Sequence, residues 1–103
     1  MTRPGLGIEL QLSNVPVMNG AAECLHALGI TSSLHEANKR SSGLSGLTSA
    51  AEILFDPQTS GGLLFSVPAE ESETLVSTLK SGGYEQASIV GQVTSSSGIQ
   101  VAT

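Results

Sequence analysis

Over residues 7–12 apolar and polar positions alternate. Ile8, Leu10 and Leu12 fall on one face, Glu9 and Gln11 on the other. A period of two marks a half-buried strand, and Ser13-Asn14-Val15-Pro16 breaks it. The period then lengthens. Ala21, Cys24, Leu25 and Leu28 stand at helical spacing on one stripe. Asn19 is the expected N-cap, Glu23 suits the electropositive first turn, and Gly29 suits the residue just past the end. Thr31-Ser32-Ser33 can cap a short helix over residues 34–40. Residues 41–46 read as a mobile loop, within a connection that is long for a small domain. Two short apolar runs follow, 51–55 and 63–67, both read as buried strands. Residues 68–81 form the clearest helix. Pro68 sits near its first position, where a missing N–H costs nothing. Glu70, Glu71 and Glu73 lie at its start and Lys80 at its end. Ser72, Leu75, Val76 and Leu79 make its inward stripe, and Gly82-Gly83 closes it. Residues 87–93 read as a strand, 95–98 as a turn and 99–101 as a last short strand. The pattern predicts an α+β fold in a single domain over 1–103. Its mixed sheet has four to five strands with helices packed on one face, in split βαβ, ferredoxin-like order.

Composition narrows the setting. The chain has 103 residues, 39% hydrophobic and only 3% aromatic with no Trp, so Leu, Ile, Val and Ala must build the core. Charged residues make up 13%, about half the usual share. The net charge is −5, and Arg3, Lys39, Arg40 and Lys80 are the only lysines and arginines. Phosphate neutralisation needs a basic face, so nucleic acid is excluded as a partner class, and an anionic membrane surface with it. No apolar run has the length of a membrane span. The N-terminus has no signal-peptide core. A lone cysteine, Cys24, forbids an internal disulfide and fits a reducing cytoplasm.

The density of candidate chemistry is highest between the two central apolar runs, at Asp56-Pro57-Gln58-Thr59-Ser60-Gly61-Gly62. Backbone N–H groups of a Thr-Ser-Gly-Gly turn can form an anion-binding nest. The Thr59 and Ser60 hydroxyls add donors, and Asp56 can face a metal or a ribose. The loop leads into an apolar run rather than a helix and holds no lysine, so it is not a P-loop. The same residues also make a hydrogen-bonded turn, with Asp56 capping backbone N–H groups. Elsewhere the chemistry is thin. Cys24 and His26 lie two apart and do not share a helix face, and Cys24, on the apolar stripe, reads as a small buried hydrophobe. His35-Glu36 reads as a solvated or structural pair, and Glu70, Glu71 and Glu73 as a solvated helix start. No His/Cys/Asp cluster has metal-ligand spacing, so neither catalytic nor metal residues are assigned.

The nine residues Asp56-Pro57-Gln58-Thr59-Ser60-Gly61-Gly62-Leu63-Leu64, followed by Val67-Pro68, resemble the C-terminal domain of selenophosphate synthetase (selenide, water dikinase). That family belongs to the superfamily that includes aminoimidazole ribonucleotide synthetase. The resemblance extends to Gly5-Leu6-Gly7-Ile8-Glu9-Leu10, to Val15-Pro16-Val17-Met18-Asn19-Gly20-Ala21 and to Ala87-Ser88-Ile89-Val90-Gly91-Gln92-Val93. It implies conversion of selenide, ATP and water to selenophosphate, AMP and phosphate with magnesium. It also implies an N-terminal nucleotide-binding domain as partner, and homodimers. Asp56, Gln58, Thr59, Ser60, Gly61 and Gly62 become the expected phosphate contact. The departures count equally. The family's reactive Cys or selenocysteine and its essential Lys lie in an N-terminal segment absent from this sequence, and Cys24, Lys39 and Lys80 do not match them. The Asp-Val-Thr-Gly-Phe-Gly stretch with its metal-binding Asp is missing as well. The expectation is therefore a truncated C-terminal domain, inactive alone. The alternative is a stand-alone, non-catalytic binding or dimerisation module derived from it.

Overall fold

The computed structural model describes residues 5–58 and 60–103. Their contacts fall into two compact units. One joins the N-terminal residues up to Pro16 with Leu63–Ala102; the other is Val17–Gly62.

The first unit is built on a three-stranded mixed sheet. Strand β1 (Gly7–Gln11) lies between β2 (Gly91–Thr94), antiparallel to it, and β3 (Gly98–Ala102), parallel to it. Ile8 pairs with Val93 and Ile99, and Leu10 with Gly91 and Val101. Glu9 pairs with Gln92 and Gln100. Side chains alternate across a strand, so one face carries Ile8, Leu10, Val93, Ile99 and Val101 and the other glutamate and glutamines. Cross-strand pairing of like side chains is what fixes this register. The 95–97 turn links β2 to β3 across the start of β1, and Gly7 makes that crossing possible. A Cβ there would run into the carbonyl oxygen of Ser96. Beyond β1 a 3-10 turn, Leu12–Asn14, ends the ladder. Gln11 N–H still donates to Val90 O at 2.8 Å. Asn14 then takes over, its side-chain amide donating to Ile89 O at 3.2 Å and its carbonyl accepting from the Ser88 hydroxyl at 2.7 Å. The strand expected over 87–93 is thus hydrogen-bonded as a ladder only from Gly91.

Helix α3 (Ser72–Ser81) follows a 3-10 turn, Ala69–Glu71, so Pro68 precedes that turn instead of opening the helix. Its expected inward residues Ser72, Leu75, Val76 and Leu79 are the half-buried ones, while Glu73, Thr74, Ser77, Thr78 and Lys80 are exposed. Gly82 N–H closes the helix onto Thr78 and Leu79 carbonyls.

The second unit holds α1 (Ala21–His26) and α2 (His35–Ser42), both touching a 3-10 helix, Ser49–Phe55. Gly20, with φ +87°, stands at the α1 N-cap in place of Asn19. Ala21 and Leu25 are half-buried, but Cys24 and Leu28 are exposed, so the α1 stripe is narrower than its spacing predicts. The Ser32 hydroxyl accepts from Leu34 N–H at 3.2 Å, a local turn ahead of the helix; the N-cap itself is Leu34 and takes no side-chain cap, so the expected serine cap is not formed. The helix runs on through Ser42, into the stretch expected to be loop.

Two expected strands are absent among the described residues. Residues 51–55 belong to the 3-10 helix, with Ala51 and Phe55 buried. So short a run, apolar but for Glu52, serves a helix as well as a strand. Residues 63–67 make no ladder with any described strand, and Leu63 is 91% exposed, Leu64 76% and Phe65 57%. The result is an α+β fold with a three-stranded mixed sheet, in place of the four to five strands predicted.

Candidate functional site

The 56–62 loop closes the second unit, directly after the 3-10 helix that α2 holds. Its hold is polar on one side. Glu52 receives His35 Nε2 at 2.9 Å on one carboxylate oxygen and Lys39 Nζ on the other. A carboxylate only accepts, so His35 Nε2 carries the proton and donates. His35 is buried, and its Nδ1 has no hydrogen-bond partner among the described residues. The pair with Lys39, and then the bond from His35, hold the Glu52 carboxyl below the usual carboxylate range. The same carboxylate pushes Lys39 up. On the other side the hold is aromatic and backbone-directed. The His35 and Phe55 rings meet edge to face, centroids 6.0 Å apart at 90°. Asn38 Nδ2 donates to Phe55 O at 2.9 Å.

Asp56 comes next in the chain. Its carboxylate accepts from Gln58 Nε2 at 2.7 Å, so the first two candidate side chains are brought together. The chain then turns back on itself. A Cβ on Gly61 would lie 3.0 Å from Gln58 Cβ, a tight approach that favours glycine there. Ser60, Gly61 and Gly62 are exposed. Thr59 lies outside the described residues. Asp56 also borders an open cavity of about 340 Å³ with Cys24, Leu25, Ile30 and Ile53 among its walls. The expectation of a buried Cys24 is thereby corrected. Cys24 caps no core, because α1 is too short to carry its whole stripe inward, and its thiol is exposed.

Sequence reasoning missed the role of α2. The sequence groups His35 with its neighbour Glu36, yet its partner is Glu52, seventeen residues on. The available signal was an acidic residue in an otherwise apolar run, which needs a buried or half-buried partner. Among the described residues no three His, Cys, Asp or Glu side chains cluster as a metal site. Asp56 is a single carboxylate already bonded to Gln58, and magnesium asks for more oxygen ligands than that. The residues present therefore do not by themselves fit magnesium. Exposed backbone at Ser60, Gly61 and Gly62 is the kind of donor a phosphate takes.

Comparison with known proteins places these observations. The match to the C-terminal domain of AIR synthase related proteins covers residues 1–103. The chain is 37% identical over 93 residues to a selenide, water dikinase of Clostridioides difficile (strain 630), covering 85% of this chain and 27% of that protein. It is 38% identical over 96 residues to selenide, water dikinase 2 of Peptoclostridium acidaminophilum, covering 88% and 27%. A selenide, water dikinase of Pelobacter propionicus is 57% identical over a shorter stretch of 42 residues, covering 41% and 12%. The chain thus spans about a quarter of the length of the Clostridioides and Peptoclostridium relatives. No solved structure matches it significantly. With the whole of its length inside the family match, the chain belongs to the C-terminal domain family of AIR synthase related proteins.

Proposed function

We propose that this chain serves as the C-terminal domain part of a selenide, water dikinase. That activity joins ATP, selenide and water to give selenophosphate, AMP and phosphate. The observation that carries the reading is the similarity to enzymes of that name along 85% of the chain. The turned-back 56–62 loop, pinned at Asp56–Gln58, supports it. In this reading Ser60, Gly61 and Gly62 offer backbone N–H groups, and Thr59 and Ser60 hydroxyls, to the phosphates of ATP. Fixed donors around a transferring phosphoryl group lower its barrier without reorganising during the reaction. Asp56 and Gln58 hold the loop's shape. Magnesium, the nucleophile and the lysine come from the nucleotide-binding part that the partner segment supplies. The setting is a reducing cytoplasm, and the assembled enzyme is a homodimer. In that assembly residues 63–67 pair as a further strand, restoring the four-to-five-stranded, ferredoxin-like sheet.

A second reading is a non-catalytic binding or dimerisation module. The exposed apolar run Leu63, Leu64 and Phe65 favours it, since contiguous apolar surface seeks a partner. A replacement experiment separates the two. This chain takes the place of the matching region in the Clostridioides difficile relative, and selenide-dependent AMP formation is measured. The dikinase reading expects turnover by the hybrid and none by the chain alone. A folded hybrid without turnover favours the module, and AMP formation by the isolated chain contradicts the division of labour proposed here.

A further inference from the structure

The 3-10 helix that leads into the 56–62 loop is weakly closed by its own backbone. Its last bond, Asp56 N–H to Ile53 O, is 3.4 Å long, near the limit of hydrogen bonding. What fixes its end comes from α2. Asn38 donates to the Phe55 carbonyl at 2.9 Å, shorter than the helix's own bond and partly buried. One turn earlier, Glu52 is gripped by His35 and Lys39, one turn apart on α2. The helix is therefore attached at two points, and the second lies on the peptide group between Phe55 and Asp56. The direction in which the chain leaves Phe55 depends on that peptide plane, so it sets where the Asp56 carboxylate and Gln58 stand.

We propose that Asn38 is a positioning residue for the Asp56 loop: by holding the Phe55 carbonyl it orients the loop's entry, while the His35–Glu52–Lys39 contacts anchor the helix behind it. The proposal rests on the phosphate reading of the loop given above for its functional meaning, and on contacts within α2 and the 3-10 helix for its geometry. Asn38 touches no reacting group in this arrangement. It acts through the backbone of Phe55.

The test uses the isolated full chain, labelled with ¹⁵N, and two variants. Asn38→Leu removes the donor at similar size. Asn38→Asp is isosteric and places an acceptor against the Phe55 carbonyl, so it serves if the leucine variant does not fold. Amide spectra are recorded without ligand and with magnesium and ATP. The expected result is displacement of the Asp56, Gln58, Ser60, Gly61 and Gly62 amides in the free variants, with α3 amides unmoved. Where the wild-type loop responds to magnesium-ATP, its affinity falls about five- to tenfold, the weight of one lost hydrogen bond. Loop amides that stay in place in a folded variant overturn the proposal. So does a uniform change across the chain, which marks a merely structural contact. If magnesium-ATP moves no wild-type amide, the phosphate reading fails, while the ligand-free displacement still decides the role of Asn38.

Discussion

At the scale of single residues, the second unit turns on His35, Glu52 and Phe55. Because Nε2–H donates to Glu52, neutral His35 has its bare nitrogen at Nδ1. Long-range ¹H–¹⁵N spectra of neutral His35 should place the unprotonated nitrogen at Nδ1, and the opposite tautomer would contradict the assigned contact. The charge contacts carry a pH signature. Glu52 is depressed in the folded chain, first by Lys39 and then by His35. A depressed carboxyl stabilises the fold above its unfolded value, about 4, and that stability is lost as pH falls through the folded value. Lys39 is raised by Glu52, so its contribution is full below the ordinary lysine value, about 10.4, and fades only as pH climbs through the folded one. The contribution of this pair to the urea midpoint should therefore be flat between these limits, and Glu52→Gln should remove the acid-side decline that comes from it. A midpoint of the variant that falls with acid as steeply as wild type would count against the contact. Phe55 works by burial instead. It is 4% exposed, and Phe55→Ala should cost about 3 kcal/mol in urea unfolding, near the low end for a buried aromatic.

Element by element, close approach and burial decide what the apolar pattern alone does not. Gly7 lies where the 95–97 turn crosses β1, with the Ser96 carbonyl occupying the space of a side chain. Gly7→Ala should destabilise the sheet by about 1–3 kcal/mol, the usual cost of forcing atoms into a packed place, seen as faster amide exchange in β1, β2 and β3. Unchanged exchange would mean that the turn does not cross there. Strand β1 was legible because its alternation is strict and its neighbours repeat it, Ile8 facing Val93 and Ile99. Helix α3 was legible because its charges and its apolar stripe agree. The 51–55 run was not, because Ala-Glu-Ile-Leu-Phe has no period long enough to separate strand from 3-10 helix. The 63–67 run departs from its pattern for a different reason. Its residues fit a strand, but a strand exists only where a neighbour accepts its backbone, and sequence pattern does not supply neighbours. Within the candidate site, the 56–62 loop was legible from its turn chemistry. The α2 contacts that hold it were not, because they join residues thirteen and seventeen apart.

At the scale of the whole molecule, the chain is a family domain carrying about a quarter of its relatives' length. Its Leu63, Leu64 and Phe65 stand in solvent. Replacing Leu64 with Asp should change unfolding stability by less than about 0.5 kcal/mol, as exposed positions do. It should also lower any concentration-dependent association seen by sedimentation. A large loss of stability would mean that Leu64 is packed within the chain after all. The role proposed for the 56–62 loop, holding phosphate within a dikinase domain, is narrower than association. An amide titration of the wild-type chain with magnesium and ATP tests it most directly. Saturable shifts confined to Asp56, Gln58, Ser60, Gly61 and Gly62 are expected. A well-folded spectrum in which those amides stay still, or in which the shifts gather on β2 and β3 instead, would contradict it.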